Sequence, residues 1–422
     1  MELSELIQEI SKENLELIKN ESIKLRSINF QFYPNKIMTI IGVRRGGKSS
    51  IQKKVIQRLL SENRNFESIF FVNFEDDRLS NMSAHEFGAA LDNYLLTFNH
   101  EKSKFFFFDE IQNLENWEKL VRRLTEQKHK VCITGSSAKT LSKEIATSLR
   151  GRSLTYTIYP LSFFEWLDFK GLHNLLERIL KSDFLLSDIY QPLMEFLNTG
   201  GFPELSLLPK KIHREILKDY VDVMLFRDVI ERNNFTDEKL VREIFKFSIQ
   251  QVAQSFSVNK LNNDLKSRGY SFSKNFTYQV IEAFQDAFAI FSIPIFSSSI
   301  RKQQSNPKKC YNIDNGLKTL YSLSNQSDFG RRFENLIFLD LLRTKHEVFY
   351  YLTEKSRLEI DFICVKNNIT TAYQVSFNSK TKNEPLEKKA QSEVFNELGL
   401  NVEYISPENY IQFLKKIITA HD

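Results

Sequence analysis

The sequence predicts an α/β protein in which a parallel sheet covered by helices is followed by a helical region and a second α/β region. Between residues 37 and 160, short apolar runs alternate with amphipathic helical stretches, which is typical of a parallel sheet with helices on both faces. Residues 161–240 lose the strands and are helical in pattern, broken by a Gly-Gly-Phe-Pro turn at 200–203. An alternating hairpin pattern returns within residues 241–325, and more strands follow residue 328.

The elements of the first region follow from the spacing of its apolar residues. Residues 5–26 carry apolar side chains at helical spacing and predict one amphipathic helix. The predicted strands are residues 37–41, 69–74, 105–108, 131–134 and 154–159, and the helices between them are residues 49–61, 85–98 and 117–127.

The composition is that of an ordinary folded protein. A chain of 422 residues predicts two to four domains at roughly 100–200 residues each. Its content of 41% hydrophobic and 26% charged residues is enough to build a sizeable core. The formal net charge of +5 permits contact with nucleic acid but does not by itself predict it.

The sequence favours a cytoplasmic location. The N-terminal residues are acidic, and no run approaches the ~20 apolar residues of a membrane span, so we expect neither a signal peptide nor a membrane partner. Cys132, Cys310 and Cys364 are far apart and match no metal or redox spacing. We therefore expect buried cysteines in a reducing compartment.

The most informative segment is residues 42–49, which match the pattern G-x-x-x-x-G-K-S between a β run and an amphipathic helix. Glycines allow backbone N–H groups to surround a phosphate, and the positive end of the following helix faces the anion. We expect Lys48 to reach the β- and γ-phosphate oxygens and the Ser49 hydroxyl to ligate Mg²⁺. The residues predicted to bind ATP are Gly42, Arg45, Gly46, Gly47, Lys48, Ser49 and Ser50.

Two acids follow the run of phenylalanines at residues 105–108. At the carboxyl edge of a parallel sheet they would face the phosphates, with Asp109 in the Mg²⁺ shell and Glu110 as the base for the attacking water. The alternative is a helix N-terminus that carries acids. The next strand leads to Ser136, whose hydroxyl is predicted to sense ATP against ADP; a solvated Gly-Ser turn is the alternative.

Together these segments resemble a family of AAA+-type ATPases of bacteria and archaea, in which an ATPase core is joined to a winged helix and a C-terminal nuclease-like domain. The resemblance covers nearly the whole chain. The motifs that carry it are residues 42–49, 108–113 with Trp117, 133–137, 149–152, 159–165 and 200–204.

The resemblance implies further nucleotide contacts. Arg150 or Arg152 would be the arginine finger, or its intramolecular equivalent, that neutralises charge in the transition state; a surface salt bridge is the alternative. Pro203 would belong to a Gly-x-Pro turn through which a helical lid touches the nucleotide. A simple helix-breaking turn is the alternative there.

Residues 241–325 are predicted to form a winged helix, because two helical segments and a turn precede an alternating hairpin with a basic tip. Positive side chains at the tip would reach nucleic-acid phosphates. The alternative is a winged helix packed as a lid that contacts only protein. The predicted contacts are Arg301, Lys302, Lys308 and Lys309.

Residues 326–422 have the element order of the PD-(D/E)xK nuclease core, and the resemblance supports that assignment. Glu334 would be the acid of the first helix and Asp361 the metal-binding acid, with Gln374 where a glutamate is expected. Ser376 stands in the place of the usual lysine, and Lys380 or Lys382 would have to reach back. Because metal-dependent cleavage needs carboxylates and usually a lysine, we expect a degenerate domain rather than an active nuclease.

The sequence therefore predicts an AAA+-like switch or motor that hydrolyses ATP with Mg²⁺ and acts on nucleic acid in genome maintenance or defence. A regulatory ATPase whose C-terminal half binds a protein partner, and an ATP-gated nuclease, are the alternatives. The sequence leaves the oligomeric state open. The predicted domains are a P-loop core at 1–160, a helical lid at 161–240, a winged helix at 241–325 and a nuclease-like domain at 326–422.

Overall fold

The computed structural model describes residues 2–24, 26, 30–62, 64, 66–80, 82–97, 104–136, 151–321, 328–377 and 384–419. The chain forms two compact units, Met1–Ile158 and Tyr159–Asp422. Within the described ranges, no helix has both the length and the apolarity needed to cross a bilayer.

The first unit contains a five-stranded parallel sheet with the strand order β2-β3-β4-β1-β5. This confirms the predicted parallel sheet. Because β4 lies between β1 and β3, the segments that follow three neighbouring strands meet at one edge of the sheet. The strands are β1 Ile37–Gly42, β2 Ile69–Asn73, β3 Phe105–Asp109, β4 Lys130–Gly135 and β5 Ser153–Ile158.

Helices cover this sheet because its strands are apolar on both faces. β1 is buried at every position, and Phe106, Phe107 and Phe108 of β3 are fully buried. Short 3₁₀ turns lie at Phe66–Ser68, Asp77–Leu79 and Ile111–Asn113. The helices are α1 Leu3–Asn20, α2 Lys48–Ser61, α3 Ala84–Thr97 and α4 Trp117–Glu126, so the predicted first helix ends six residues early.

Helix α1 protects the open edge of the sheet. β2 is an edge strand, and its Phe71 N–H donates to the Ser11 hydroxyl of α1 at 3.0 Å. An unpaired strand edge invites pairing with another chain, so a side chain that satisfies an edge amide and a helix that covers it reduce that risk. The N-terminal helix is thus an integral part of the first unit.

The second unit combines helices with two sheets. β6, β8 and β7 form an antiparallel sheet in that order, and β12, β11, β10 and β9 form a mixed sheet in which only β11 and β12 are parallel. The strands are β6 Gln254–Phe256, β7 Ile290–Ile293, β8 Lys308–Asn312, β9 Glu347–Leu352, β10 Glu359–Lys366, β11 Ile369–Val375 and β12 Val402–Ile405.

The helices of this unit fall before, between and after its sheets. A 3₁₀ turn lies at Lys210–Ile212, and a π-helical stretch, Met224–Glu231, continues α9. The helices are α5 Phe163–Phe169, α6 His173–Leu180, α7 Leu186–Thr199, α8 Pro203–Leu207, α9 His213–Val223, α10 Glu238–Gln250, α11 Val258–Ser267, α12 Lys274–Asp286, α13 Ile300–Ser305, α14 Gly316–Thr319, α15 Phe329–Arg343, α16 Glu384–Leu398 and α17 Tyr410–Thr419.

One buried apolar cluster of the second unit includes residues from each of the three domains predicted there. Trp166 of α5, Tyr311 of β8, Phe338 of α15 and Tyr410 of α17 belong to the same cluster of buried side chains. The domain boundaries predicted at 240 and 325 stay predictions. Side chains far apart in sequence share one interior here, which local patterning does not reveal.

The predicted hairpin at the end of residues 241–325 is not a simple wing. A short helix, α13, lies between β7 and β8, and the backbone N–H of Phe296 donates to Tyr350 O at 2.7 Å. Ile295 also pairs with Tyr350 in an isolated bridge. The segment after β7 is thus tied to strand β9.

Candidate nucleotide-binding site

The loop between β1 and α2 has a backbone that only glycine fits at critical positions. A Cβ on Gly42 would run into the carbonyl oxygen of Ile158, the last residue of the neighbouring strand β5. Gly47, just before α2, has φ = 96°, in the left-handed region that glycine adopts without strain. Arg45 also has positive φ, at 61°. Residues with positive φ in such a short loop turn backbone N–H groups toward a common concavity that suits an anion.

Two side chains at the start of α2 face this loop and the neighbouring strand. Lys48 is 4% exposed, and its Nζ donates to Val43 O at 3.1 Å and lies 3.8 Å from Glu110 Oε1. The Ser49 hydroxyl donates to Asp109 Oδ1 at 3.2 Å. The loop lysine and the loop serine are therefore each close to one of the two acids that follow the phenylalanine run.

Asp109 is buried and hydrogen-bonded to two hydroxyl groups. Burial raises the pKa of this carboxyl, and the charge of Glu110 adds to the rise, whereas hydrogen bonds from Thr134 and Ser49 and the charge of Lys48 oppose it. A divalent cation beside a buried carboxylate would favour its ionised form. The serine hydroxyl and aspartate oxygen are hard donors of the kind that Mg²⁺ prefers, so this pair fits the ion.

Glu110 is held in a strained conformation. Its φ is 48°, unusual for a residue with a side chain, and its side chain is almost entirely buried. The backbone N–H donates to the Thr134 hydroxyl at 2.9 Å, and Gln112 Nε2 donates to Glu110 Oε2 at 2.5 Å. Such strain persists only where surrounding contacts fix it, and it concentrates at functional sites.

Thr134 is a site residue that the sequence interpretation missed. Its hydroxyl donates to Asp109 Oδ1 while it accepts the Glu110 N–H, so it orients both acids. The strand-end hydroxyl chosen from sequence was Ser136, two residues later and buried. The signal for Thr134 was present in the same segment, but only the pairing of β3 with β4 brings it beside the acids.

A cavity of about 640 Å³ lies along α2. Its volume is in the range of small-molecule sites. Arg26, before β1, donates to Gly46 O at 3.0 Å and joins the cavity to the loop. The lining residues are Lys19, Arg26, Phe30, Ser50, Ile51, Lys54, Val55, Gln57, Arg58, Leu60 and Ser61. Of these, only Ser50 was predicted from sequence.

The prediction of Arg152 as an intramolecular arginine finger is wrong. Its backbone oxygen accepts the Ile37 N–H, at the amino end of the parallel strands, whereas the loop follows their carboxyl ends. The six residues of β5 place these two edges about 20 Å apart. Its guanidinium instead pairs with Glu126 Oε1 at 2.6 Å. Arg150 lies outside the described residues.

The Gly-x-Pro turn forms hydrogen bonds within the second unit. Gly201 N donates to Asp314 Oδ2 at 2.6 Å, and Gly201 O accepts the Leu161 N–H at 2.7 Å. Pro203 is the first residue of α8, where its fixed φ suits a helix start. A nucleotide contact by Pro203 stays a prediction.

The three residues of the predicted nuclease-like site lie together. Gln374 Nε2 donates to Asp361 Oδ2 at 2.8 Å, and Glu334 and Asp361 both contact the ammonium of Lys309. Lys380 and Lys382 lie outside the described residues.

The prediction of Lys309 as a nucleic-acid contact at a wing tip is wrong. Successive side chains of a strand point to opposite faces, so Lys308 of β8 is exposed whereas Lys309 is 1% exposed. The other predicted contacts, Arg301 and Lys302, are on α13, and both are exposed.

Comparison with known proteins agrees with this geometry. Residues 34–167 match the AAA_14 family, described as an AAA domain. The chain is 37% identical over 401 residues to the uncharacterized protein MJ1544 of Methanocaldococcus jannaschii, covering 94% of this chain and 87% of that protein. The chain belongs to the family of MJ1544. The matched segment contains the loop and both acids, which confirms an AAA-type P-loop ATPase domain in this member of the MJ1544 family.

Further similarities cover the middle of the chain or most of its length. Residues 190–328 match a domain of unknown function, DUF8612. An uncharacterized protein of Haemophilus influenzae is 28% identical over 342 residues, covering 81% of this chain and 82% of that protein. The Walker-type ATPase PABY2304 of Pyrococcus abyssi is 14% identical with a TM-score of 0.43, covering 74% of this chain and 95% of that one.

Proposed function

We propose that this member of the MJ1544 family hydrolyses Mg²⁺-ATP at the loop of residues 42–49 and uses the cycle as a switch or motor on nucleic acid. One observation carries the proposal. Ser49, Asp109, Thr134 and Glu110 form a single hydrogen-bonded network beside Lys48. It joins the loop to the acids that hydrolysis requires.

Each residue of the network has a distinct part. Ser49 and Asp109 would hold Mg²⁺, which when bound supplies positive charge to the phosphate oxygens. Lys48 and the backbone N–H groups of the loop bind and orient the phosphates. Gln112 holds the Glu110 carboxylate and Thr134 holds the Glu110 backbone N–H. This carboxylate would accept a proton from the attacking water. We also assign the nucleoside to the cavity along α2, which begins at Ser50.

The nucleic-acid target is supported by the second unit. The order α10, β6, α11, α12, β7, α13, β8 contains an antiparallel sheet of three strands after two helices. Apart from the helix inserted between β7 and β8, this order supports the winged-helix interpretation of residues 241–325. Arg301, Lys302 and Lys308, all at least partly exposed, supply positive charge for phosphates. We place the protein in the cytoplasm, because Cys132, Cys310 and Cys364 are buried and unpaired.

Steady-state ATPase rates with and without single-stranded DNA, duplex DNA and RNA test the proposal. We expect Mg²⁺-dependent turnover that at least one nucleic acid increases several-fold. If no nucleic acid alters turnover, the nucleic-acid target is rejected and the ATPase activity is retained. No turnover under any of these conditions, with nucleotide binding intact, would reject the hydrolytic role itself.

A further inference from the structure

The second unit contains a buried lysine surrounded by acids. Lys309 of β8 is 1% exposed, and its Nζ lies 2.7 Å from Glu334 Oε1, 2.7 Å from Glu359 Oε1 and 2.9 Å from Asp361 Oδ1. Glu334 belongs to α15, and the other two acids belong to β10. One side chain thus joins the three-stranded sheet, a helix and the four-stranded sheet.

Each N–H donor of the Lys309 ammonium has a carboxylate nearby. A lysine has three N–H donors, and here three carboxylates surround it. Burial by itself lowers the pKa of a lysine, but the charges of Asp361, Glu334 and Glu359 outweigh burial and hold the pKa of Lys309 well above its usual value. The side chain is therefore a permanent cation inside the protein.

Asp361 has little capacity left for a metal ion. Its Oδ1 accepts from Lys309 at 2.9 Å, and its Oδ2 accepts from Gln374 Nε2 at 2.8 Å and from the Val375 N–H at 2.9 Å. A carboxylate has about four lone-pair sites, so N–H donors fill most of them. The amide of Gln374 is oriented by the same acid, since its Oε1 accepts the Asp361 N–H at 3.4 Å.

Glu334 is also a weakened ligand. The Tyr311 hydroxyl donates to Glu334 Oε1 at 2.7 Å, on the same oxygen that meets Lys309. This oxygen is therefore already occupied by a hydroxyl donor and an ammonium, which leaves little capacity for a metal ion.

We propose that the Lys309 ammonium takes the place of a divalent metal ion among Glu334, Glu359 and Asp361. The C-terminal region therefore neither binds Mg²⁺ or Mn²⁺ at these acids nor cleaves phosphodiester bonds there. The lysine instead acts as an internal cation that fixes β8 to α15 and β10. This inference does not depend on the ATPase or on its target.

Chemical labelling of the wild-type protein tests the proposal without any substitution. Nucleotide-free protein is acetylated with a lysine-specific reagent, with and without excess MnCl₂, and the modified sites are read by mass spectrometry. Lys308, the exposed neighbour, is the internal control. We expect Lys309 to react more slowly than Lys308 by on the order of tenfold or more under both conditions, because labelling requires local opening. Labelling of Lys309 that rises to the rate of Lys308 with Mn²⁺ would overturn the proposal.

Metal binding to variants gives a second test. Mn²⁺ binding is followed by electron paramagnetic resonance on nucleotide-free wild type, Lys309→Met, Lys308→Met and the double variant Lys309→Met/Asp361→Asn. Only Lys309→Met is expected to gain a Mn²⁺ site, and the added Asp361→Asn should remove it. If Lys309→Met gains none while it stays folded by circular dichroism, the lysine does not occupy a cation position.

Nuclease assays complete the comparison on wild-type protein. We expect no Asp361-dependent cleavage of DNA or RNA, whether Mg²⁺ or Mn²⁺ is supplied. Metal-dependent cleavage, or Mn²⁺ binding by the wild type, that is lost in Asp361→Asn would refute the proposal. If Lys309→Met does not fold, these two wild-type readouts and the labelling experiment still decide it.

Discussion

The hydroxyl of Thr134 donates to the carboxylate of Asp109, and both side chains are buried at the edge of the sheet that faces the phosphate loop. The same hydroxyl accepts the Glu110 N–H at 2.9 Å. A residue that the sequence interpretation did not select thus orients the two acids to which we assign hydrolysis.

Thr134→Val should therefore lower ATP turnover while leaving nucleotide binding largely intact. Valine has nearly the same shape but leaves the buried Glu110 N–H without an acceptor, a cost of about 1–3 kcal/mol. A loss of on the order of 10–100-fold in kcat is expected if that cost falls on the transition state. Thr134→Ser keeps the hydroxyl and is the control. Equal turnover by the valine and serine variants would contradict this role.

Lys48→Ala should abolish tight ATP binding. Removing the ammonium takes away the buried positive charge at the start of α2, and it removes the partner of Glu110 at 3.8 Å. Fluorescent-nucleotide titration measures the effect, with Lys53→Ala as the control, because Lys53 lies on the same helix and pairs with Glu21 instead. Tight ATP binding by Lys48→Ala would contradict the assignment of residues 42–49 as the phosphate-binding loop.

Glu110→Gln should bind ATP normally and fail to turn it over. The amide keeps the size of the side chain but cannot accept a proton, and a positioned general base contributes typically about 10²–10⁴-fold. Single-turnover measurements with labelled ATP would show trapped substrate. As a control, Glu115→Gln changes a nearby exposed acid and should turn ATP over like wild type. If Glu110→Gln turns ATP over as fast as this control, Glu110 is not the base.

Asp314 should make stability depend on pH. Its carboxylate is buried and accepts N–H groups from Gly201 at 2.6 Å and Gly316 at 2.7 Å, and burial raises its pKa to about 7 although these bonds and the charge of Arg343 oppose the rise. The folded state thus holds this proton more tightly than the unfolded chain, whose carboxyl has a pKa near 3.8. The stabilisation that this bound proton gives the folded state is fully present below pH 3.8. It is lost as the pH rises through about 7.

Asp314→Asn removes that titration and should be less stable than wild type at pH 5 by about 1–3 kcal/mol, because one buried N–H loses its acceptor. The difference in Tm between the two proteins should narrow as the pH rises from 5 to 8. Other buried acids with raised pKa values, Asp340 and Glu334, titrate in both proteins and cancel in this comparison. A difference that stays constant with pH would contradict the assignment.

The basic residues on and near α13 should contribute to nucleic-acid affinity through charge alone. Replacing Arg301, Lys302 and Lys308 by alanine should weaken binding and flatten the dependence of log K on log salt. The slope should fall by about 0.9 for each duplex-DNA phosphate that the variant no longer neutralises. Fluorescence anisotropy at several salt concentrations measures both quantities.

The matched control replaces three exposed lysines elsewhere in the second unit, Lys211, Lys218 and Lys239. It changes the net charge by the same amount. If both triple variants lose the same affinity and slope, the effect reflects overall charge, and the surface around α13 is not a specific binding site.

The nucleotide-binding part of the fold could be predicted because its signals are local. Glycine positions in residues 42–49, an apolar run before them and an amphipathic helix after them are properties of neighbouring residues, and so is the buried run that ends at Asp109 and Glu110. Backbone sterics and the periodicity of burial act over a few residues, so the sequence alone determined the loop, both acids and the parallel sheet.

Tertiary structure decided which distant side chains meet. Thr134 reaches Asp109 only because β4 pairs with β3, and Arg152 stands at the far edge of the sheet because β5 runs parallel to β1. Lys309 and Lys308 are adjacent and chemically identical, yet one faces solvent and the other faces acids from α15 and β10. A strand's two faces differ only in what packs against them, and that packing is set by contacts across the chain.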